Sequence, residues 1–427
     1  MLTIKEIVMD LASIVLKESE LERLFLSIFS LLVSAHFFGY YFSKFSLPRV
    51  VGEIFGGILL GPSFLGFFSQ TYYDELFNYF PEQGKILAFL YWIGLVLLML
   101  SAGFKIDRTS NAKDKKLILN LIISSTILPI LGGILYCKFY DFTPYKGKYG
   151  TDFSISIIVC ISIAITSIPI ISKIFIDLNI IHSRFAKIIL AAATLHDLIL
   201  WTGLDAAIKS SNKGNANTIL AAFTTILFLS FSLFLGPWLS KHIVNLNGNS
   251  LLKSSSIAHI IIVCFFMVII TNHFGINIVF GALMAGMIIG TLNNESFRLA
   301  KDSVSDFSLA FFIPIYFAII GLKINLPLHF DFQLFLTFFL FSSFLEIGCV
   351  FMSLKLLKNN WLTSLNFGFA MNARGGPGIV MASIAYEFSI INEAFFIVLI
   401  LVAIITSLIS GAWFKFVLNH GWQLYEA

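Results

Sequence analysis

The sequence predicts an all-α polytopic membrane protein of about 13 transmembrane helices, built from inverted repeats that contain two broken helices. Three observations predict this fold class. The chain has 427 residues, of which 58% are hydrophobic and 12% charged, and that charged fraction is about half that of a soluble domain. Its apolar runs are long enough to cross a bilayer, which takes about 20 residues. Two of these runs contain proline close to polar residues or glycines.

The apolar runs define the candidate spans. Residues 1–20 precede them and mix acids with lysines, without the apolar run and cleavage site of a signal peptide, so we expect an interfacial amphipathic segment. We expect residues 21–418 to form the transmembrane domain and residues 419–427 a short cytoplasmic tail. The predicted spans are 22–43, 47–68, 86–104, 117–137, 153–176, 184–208, 217–240, 255–273, 275–291, 305–322, 332–357, 364–386 and 391–416.

Basic residues orient these spans, because cytoplasmic loops are enriched in lysine and arginine. With the N-terminus outside, 17 of the 28 basic residues fall in cytoplasmic segments and 7 in external loops. The sequence therefore predicts an external N-terminus and a cytoplasmic C-terminus. The short loops and tails are typical of a bacterial inner (plasma) membrane protein, and we predict that location.

The fifth predicted span contains the stretch ISIAITSIPIISKIF. Pro169 cannot donate the usual helical hydrogen bond, and its ring clashes with the preceding turn. Thr166 and Ser167 come just before it. We therefore predict a break at this point of the helix.

The twelfth predicted span contains the stretch FAMNARGGPGIVMAS. Asn372 and Arg374 are followed there by Gly375, Gly376 and Pro377. A regular helix does not run through such a sequence, so we predict a second break.

Helix breaks at membrane depth leave backbone groups that protein, water or ions must satisfy. Breaks at corresponding positions of two halves indicate the binding site of an inverted-repeat transporter. Spans four to six and spans eleven to thirteen form the candidate repeats, each with the break in its middle helix. The alternative is that each proline merely kinks its helix.

His196 and Asp197 lie side by side in the sixth span, in the stretch LHDLILW. At about 1.5 Å per residue from Arg184, they lie near the middle of the bilayer. An aspartate there costs about 2.5–3.5 kcal/mol to insert, which makes it a functional candidate. Burial favours its protonation and a nearby cation opposes it, so the carboxylate can bind either a proton or a cation. The alternative for both residues is a structural hydrogen bond between helices.

Other ionisable residues also fall in apolar runs. Glu346 lies within the eleventh span, as a functional group or as a structural one paired with a neighbour. Arg374 either neutralises carbonyl ends at the second break or acts as a structural clamp. Glu53 lies among GG and GP pairs that suggest close helix packing or a dimer contact. We expect Asp205 and Glu387 to lie near the interfaces and to be solvated.

Other kinds of chemistry find no support in the sequence. The four cysteines and eight histidines show no metal-ligand spacing. The chain has no Walker motif, no glycine-rich turn after a strand and no basic run suited to nucleic acid. We therefore expect no enzyme activity, no cofactor and no nucleic-acid partner.

Four stretches carry a family resemblance: SLPRVVGEIFGGILLGPSFLG, FGINIVFGALMAGMIIG, FSLAFFIPIYFAIIGLKINL and MNARGGPGIVMASIAYEFSIINEAFFIVLILVAIITSLISG. They resemble, in order, motifs of the monovalent cation:proton antiporter superfamily, in particular its second branch. That branch includes sodium/proton antiporters, potassium efflux systems and plant cation/proton exchangers. The resemblance covers about residues 25–418.

The resemblance implies the sodium/proton antiporter fold, a homodimer in the lipid bilayer, and a mobile core that holds the crossed, broken helices. Asp197 matches the family's near-universal aspartate, and Thr166 matches a cation-contacting threonine. The residues expected to bind ions or protons are Asp197, His196, Thr166, Ser167 and Glu346. Those expected to shape the breaks are Pro169, Asn372, Arg374, Gly375, Gly376 and Pro377.

The chain departs from the family pattern at two positions. His196 stands where the family carries Asp, Asn or Gln, and Glu346 stands where a lysine is common. We hypothesise that these two residues pair, with Asp197 as the main ion carrier. A buried imidazole would add a pH-sensitive proton site.

The resemblance implies secondary exchange of Na⁺ or K⁺ for H⁺ by alternating access. The two departures leave two alternatives open. One is a channel-like or sensory protein of the same fold, and the other is a proton-coupled transporter of an organic solute.

Overall fold

The apolar runs form helices throughout the described part of the chain. The computed structural model describes residues 16–44, 48–104, 114–211, 238, 255–274, 277–292 and 295–425. Within these ranges seven residues are described by their backbone alone, namely Pro169, Lys173, Asp177, Thr194, Leu195, Asp197 and Leu198.

The α-helices are numbered here in chain order. The first nine are α1 (Glu18–Lys44), α2 (Arg49–Leu60), α3 (Leu65–Phe68), α4 (Gln70–Phe77), α5 (Gln83–Phe104), α6 (Lys115–Ile122), α7 (Leu128–Phe139), α8 (Asp152–Ala164) and α9 (Ile168–Asp177). The others are α10 (Arg184–Lys209), α11 (Ser256–His273), α12 (Ile278–Gly290), α13 (Glu295–Phe307), α14 (Ile313–Leu322), α15 (Leu326–His329), α16 (Phe332–Leu356), α17 (Trp361–Met371), α18 (Gly375–Glu387) and α19 (Glu393–Asn419).

Two π-helical turns, Ile123–Ile127 and Ser308–Phe312, join successive helices. They make α6 and α7 one apolar rod of 25 residues, and α13 and α14 one of 28 residues. Eight helical rods in the described ranges are long and apolar enough to cross a membrane. The all-helical membrane fold predicted from the sequence is confirmed.

Each predicted span except 217–240 coincides with one described helix or with two in succession. The span at 217–240 lies outside the described residues, so the total of thirteen stays a prediction. Residues 1–15 of the expected interfacial segment also lie outside them, and α1 begins within that segment at Glu18.

The helices pack in two groups, which share an apolar core. The glycine-packed bundle consists of α1, α2, α5, α11, α12 and the α13–α14 rod. The crossing bundle consists of α6 to α10 and α16 to α19.

Small residues bring the backbones of the glycine-packed bundle into contact. A Cβ atom at Gly57 of α2 would overlap the carbonyl oxygen of Ala318 in α14. A Cβ atom at Gly286 of α12 would likewise overlap the carbonyl oxygen of Leu100 in α5. Close approach through small residues is how helices associate in membranes, where lipid supplies no hydrophobic drive. The glycine pair before Leu60 therefore serves packing within this chain.

The crossing bundle contains two sets of helices, here called triples, that run in opposite directions. The first triple is the α6–α7 rod, α8 with α9, and α10, and the second is α16, α17 with α18, and α19. α16 packs against the α6–α7 rod, where Ser353 donates a hydrogen bond to Asn120 at 2.7 Å. Further along, Gly132 lies against Leu345. Residue numbers rise along one helix as they fall along the other, so the first helices of the triples run antiparallel. This is the inverted arrangement that the paired breaks predict.

The connection after α7 and the connection after α18 meet at one end of the molecule, here called the loop end. The amide of Gly147 donates to the carbonyl of Ile390 at 2.9 Å, and that of Tyr149 to Ser389 at 2.9 Å. The two triples are thus also tied through their connecting segments.

A candidate ion site at the crossing of two broken helices

The first break separates α8 from α9. The backbone is extended at Ile165 and Ser167, and the Ser167 hydroxyl oxygen accepts a hydrogen bond from the amide of Ile170 at 3.3 Å. Pro169 lies in the first turn of α9, where no intrahelical partner exists for its missing N–H. The sequence therefore ends one helix and starts another, and the proline does not kink a continuous helix.

The second break separates α17 from α18. Gly375 has a φ of +30°, in the left-handed region that favours glycine. Its amide donates to the hydroxyl of Ser407 on α19 at 3.0 Å. A Cβ atom at this position would overlap the side chain of Ile170 in α9. The backbone angle therefore favours glycine here, and an added Cβ atom would also force the Ile170 side chain of α9 to move.

The two breaks contact each other directly. The amide of Ser167 donates to the carbonyl of Ala373 at 2.6 Å, and the hydroxyl of Thr166 donates to the carbonyl of Met371 at 2.6 Å. Thr166 and Ser167 are both fully buried. Each break therefore satisfies backbone groups of the other, as non-helical backbone at membrane depth requires. The Thr166 oxygen keeps lone pairs that can face an ion.

The crossing leaves room that no described side chain fills. Gly376 is buried in the first turn of α18. A Cβ atom there would nevertheless have no described atom of another helix within 4 Å. Gly375 and Gly376 are therefore not equivalent, since among the described atoms only Gly375 has a neighbouring helix against it.

Arg374 is fully buried at the second break. Its Nη1 atom donates to the hydroxyl of Ser342 at 2.6 Å, and its Nη2 atom to the side-chain oxygen of Asn372 at 3.2 Å. These two hydrogen bonds go to side chains and not to the carbonyl ends of the break, so neutralisation of those ends by Arg374 stays a prediction. A buried guanidinium keeps its charge and needs such acceptors.

Glu346 and His196 are both fully buried, and neither has a hydrogen-bond partner in the described structure. The hypothesised contact between them is not formed. The electrostatic partner of Glu346 is Arg374. The two departures from the family pattern are therefore not joined to each other.

The backbone of Asp197 lies in α10, next to His196. The side chain of Asp197, like that of Pro169, lies outside the described residues.

Sequence reasoning missed Ser342 and Ser407, the hydroxyl groups that hold the second break. Ser342 could have been found, because it precedes Glu346 by four residues and so shares its helix face. Nothing in the sequence alone connects Ser407 with Gly375, since that contact depends on how α19 packs against α18.

Asp205 was expected to be solvated and is instead buried. It lies in the last turn of α10 and accepts a hydrogen bond from the amide of Asn277 at 3.1 Å. It also forms an ion pair with Lys209 at 2.7 Å. The expectation was wrong because α12 begins directly against this turn and supplies an amide for the carboxylate to bind.

Comparison with known proteins adds relatives along most of the chain. Residues 32–420 match the family described as sodium/hydrogen exchanger, transmembrane. The chain is 26% identical over 386 residues to Na(+)/H(+) antiporter NhaS4 of Synechocystis, covering 88% of this chain and 92% of that protein.

Two eukaryotic relatives are longer. Cation/H(+) antiporter 19 of Arabidopsis thaliana is 26% identical, over 91% of this chain and 49% of the plant protein. K(+)/H(+) antiporter 1 of Saccharomyces cerevisiae is 25% identical, over 88% of this chain and 43% of the yeast protein. The chain therefore spans about half the length or less of these relatives.

A solved structure shares the fold. The sodium proton antiporter MjNhaP1 from Methanocaldococcus jannaschii superimposes with a TM-score of 0.64 and 16% identity. The match covers 92% of this chain and 97% of that one.

Proposed function

Because the chain belongs to the sodium/hydrogen exchanger family, we propose that it exchanges a monovalent cation, Na⁺ or K⁺, for H⁺ across the membrane. Relatives described as Na(+)/H(+) and as K(+)/H(+) antiporters support both cations. The observation that carries the proposal is the crossing of two helix breaks inside the membrane domain, where Thr166 and Ser167 of one break bind the backbone of the other.

Asp197 is the proposed carrier of this exchange. It occupies the middle of α10, which packs against the broken helices. A carboxylate in such a place binds a cation when it is ionised and a proton when it is not, so the two ions compete for one group. Thr166 and Ser167 would add neutral oxygens, the ligand type that alkali cations share with other hard cations.

His196 would act beside Asp197 as a second proton-binding group. Its ring nitrogens are both without hydrogen-bond partners in the described structure, so either can accept or release a proton. This role makes the exchange pH-sensitive without changing which ions are exchanged.

Alternating access would move one bundle against the other. The glycine-packed bundle suits a fixed support, because its backbones are in contact. The crossing bundle carries the proposed site and would shift to expose it to either side. We further propose a homodimer in the bacterial inner membrane, with the N-terminus outside and the C-terminus in the cytoplasm.

Reconstituted proteoliposomes loaded with a pH-sensitive dye test this proposal. Addition of NaCl or KCl should drive proton movement in the unmodified protein, and Asp197→Asn should abolish it. Glu53→Gln is the matched control, because it removes a buried carboxylate of the glycine-packed bundle that pairs with Arg49 at 3.0 Å. Cation flux without proton movement would favour a channel-like protein, and exchange retained in Asp197→Asn would rule out the proposed carrier.

A further inference from the structure

Glu346 is a buried carboxyl group without a hydrogen bond to any described residue. It lies within α16 and is fully buried, and neither of its oxygen atoms has a partner in the described part of the chain. An ionised carboxylate in such surroundings is costly, because it has lost water and gained no donor. In the arrangement described, the carboxyl group is therefore best accommodated with a proton bound.

A donor for the ionised form lies one helical turn away. The hydroxyl of Ser342 accepts the hydrogen bond from Nη1 of Arg374. Ser342 precedes Glu346 by four residues, so both lie on the same face of α16. One turn corresponds to about 5.4 Å along the axis, a distance that a long arginine side chain can cover by rotation. The Nε atom of Arg374 donates to no described residue, so it can donate a hydrogen bond to an ionised Glu346.

Few charges compete for Glu346. The elements packed against α16 are the α6–α7 rod, α8, α17 and α19. Across these interfaces, the described charged group that acts on Glu346 is Arg374, which follows α17. Cys349 is the titratable neighbour on α16 itself. The protonation of Glu346 is therefore coupled mainly to the position of one guanidinium group.

We propose that Glu346 carries a second transported proton, and that Arg374 alternates between Ser342 with Asn372 and the ionised Glu346. When the Glu346 O–H bond breaks, the proton leaves to water on the open side. The charge left on the carboxylate is then matched by the guanidinium. This inference rests on the proposed exchange at Asp197. It makes that exchange two protons against one cation, so each cycle moves one net charge.

Infrared difference spectra of the purified protein test the protonation of Glu346. Adding Na⁺ or K⁺ to the proton-loaded protein should remove intensity from the carboxylic-acid C=O band. Glu346→Gln should lose one component of that change, and Asp197→Asn, which lacks the proposed cation-binding carboxylate, should lose the whole change. An identical band in Glu346→Gln would overturn the proposal, whether or not the protein transports cations.

The charge moved per cycle is tested in proteoliposomes with an imposed membrane potential. The initial exchange rate of the unmodified protein should change severalfold when the potential is reversed. Glu346→Gln should still exchange but lose this response, whereas Glu346→Asp and the control Glu53→Gln should keep it. An unmodified protein that exchanges without responding to potential would overturn the second proton while leaving the proposed function intact.

Loss of exchange has a different meaning in Glu346→Gln and in the unmodified protein. A folded Glu346→Gln that no longer exchanges would contradict the proposal, because exchange at Asp197 should continue without Glu346. Absence of any cation-driven proton movement in the unmodified protein would instead overturn the proposed function, and the infrared band alone would then decide whether Glu346 holds a proton.

Discussion

A buried glutamate in each bundle, Glu53 in one and Glu346 in the other, differs in whether it has a partner. In the glycine-packed bundle, helix backbones touch and the buried Glu53 is paired with Arg49 at 3.0 Å. In the crossing bundle, two helices are broken, and neither Glu346 nor His196 has a hydrogen-bond partner among the described residues. Unsatisfied polar groups are normally avoided because they destabilise a fold, and where they persist they mark function. The difference suggests that one bundle supplies stability and the other supplies chemistry.

The largest loss of stability is expected from a methyl group placed in the glycine-packed bundle. Gly57→Ala would force a Cβ atom onto the backbone oxygen of Ala318, which cannot turn away as a side chain can. Overpacking of this kind costs about 1–3 kcal/mol, and the midpoint of thermal unfolding in detergent should fall accordingly.

Gly84→Ala is the matched control, because a Cβ atom at Gly84 meets no described atom within 4 Å. Equal unfolding midpoints for Gly57→Ala and Gly84→Ala would show that the close backbone contact does not support the bundle.

A smaller loss is expected at the crossing, with a larger effect on transport. Gly375→Ala puts a side chain at a φ of +30° and against Ile170. The left-handed conformation costs about 1–2 kcal/mol for a non-glycine residue. Cation-driven proton movement should fall steeply, because the position of α9 at the crossing would change.

The neighbouring substitution Gly376→Ala sharpens this prediction. It should leave the unfolding midpoint nearly unchanged, since no described atom opposes the added methyl group. Equal unfolding midpoints and equal cation-driven proton movement in Gly375→Ala and Gly376→Ala would show that the two glycines do not differ in this way.

The smallest effect is expected where the two bundles meet at the loop end. Lys323, after α14, forms an ion pair with Glu387 of α18 and lies 4.1 Å from the ring centre of Tyr91. The two charged side chains are 32% and 26% exposed, so solvent weakens the pair. Lys323→Gln should lower the unfolding free energy by less than about 1 kcal/mol, measured against the unmodified protein in the same detergent.

The sequence predicted the elements better than their contacts. Helix positions followed from the lengths of apolar runs, and both breaks followed from proline and glycine chemistry at Pro169 and Gly375. Partners across helices depend on rotation about each helix axis, which no spacing specifies. The hypothesised pairing of His196 with Glu346 was wrong for that reason.

Burial near helix ends was also hard to predict. Asp205 lies close to the end of an apolar run, where solvation is the ordinary expectation. The described structure instead places the N-terminus of α12 against it. A short connection before Asn277 gave no sign of that contact.

The proposed competition between a cation and a proton for Asp197 is measured most directly by proton release. Purified protein in a weakly buffered detergent solution is titrated with NaCl or KCl while the pH is recorded. We expect acidification in proportion to the protein present, lost in Asp197→Asn and kept in full in Glu53→Gln. Undiminished release from Asp197→Asn, or none from the unmodified protein with either salt, would contradict it.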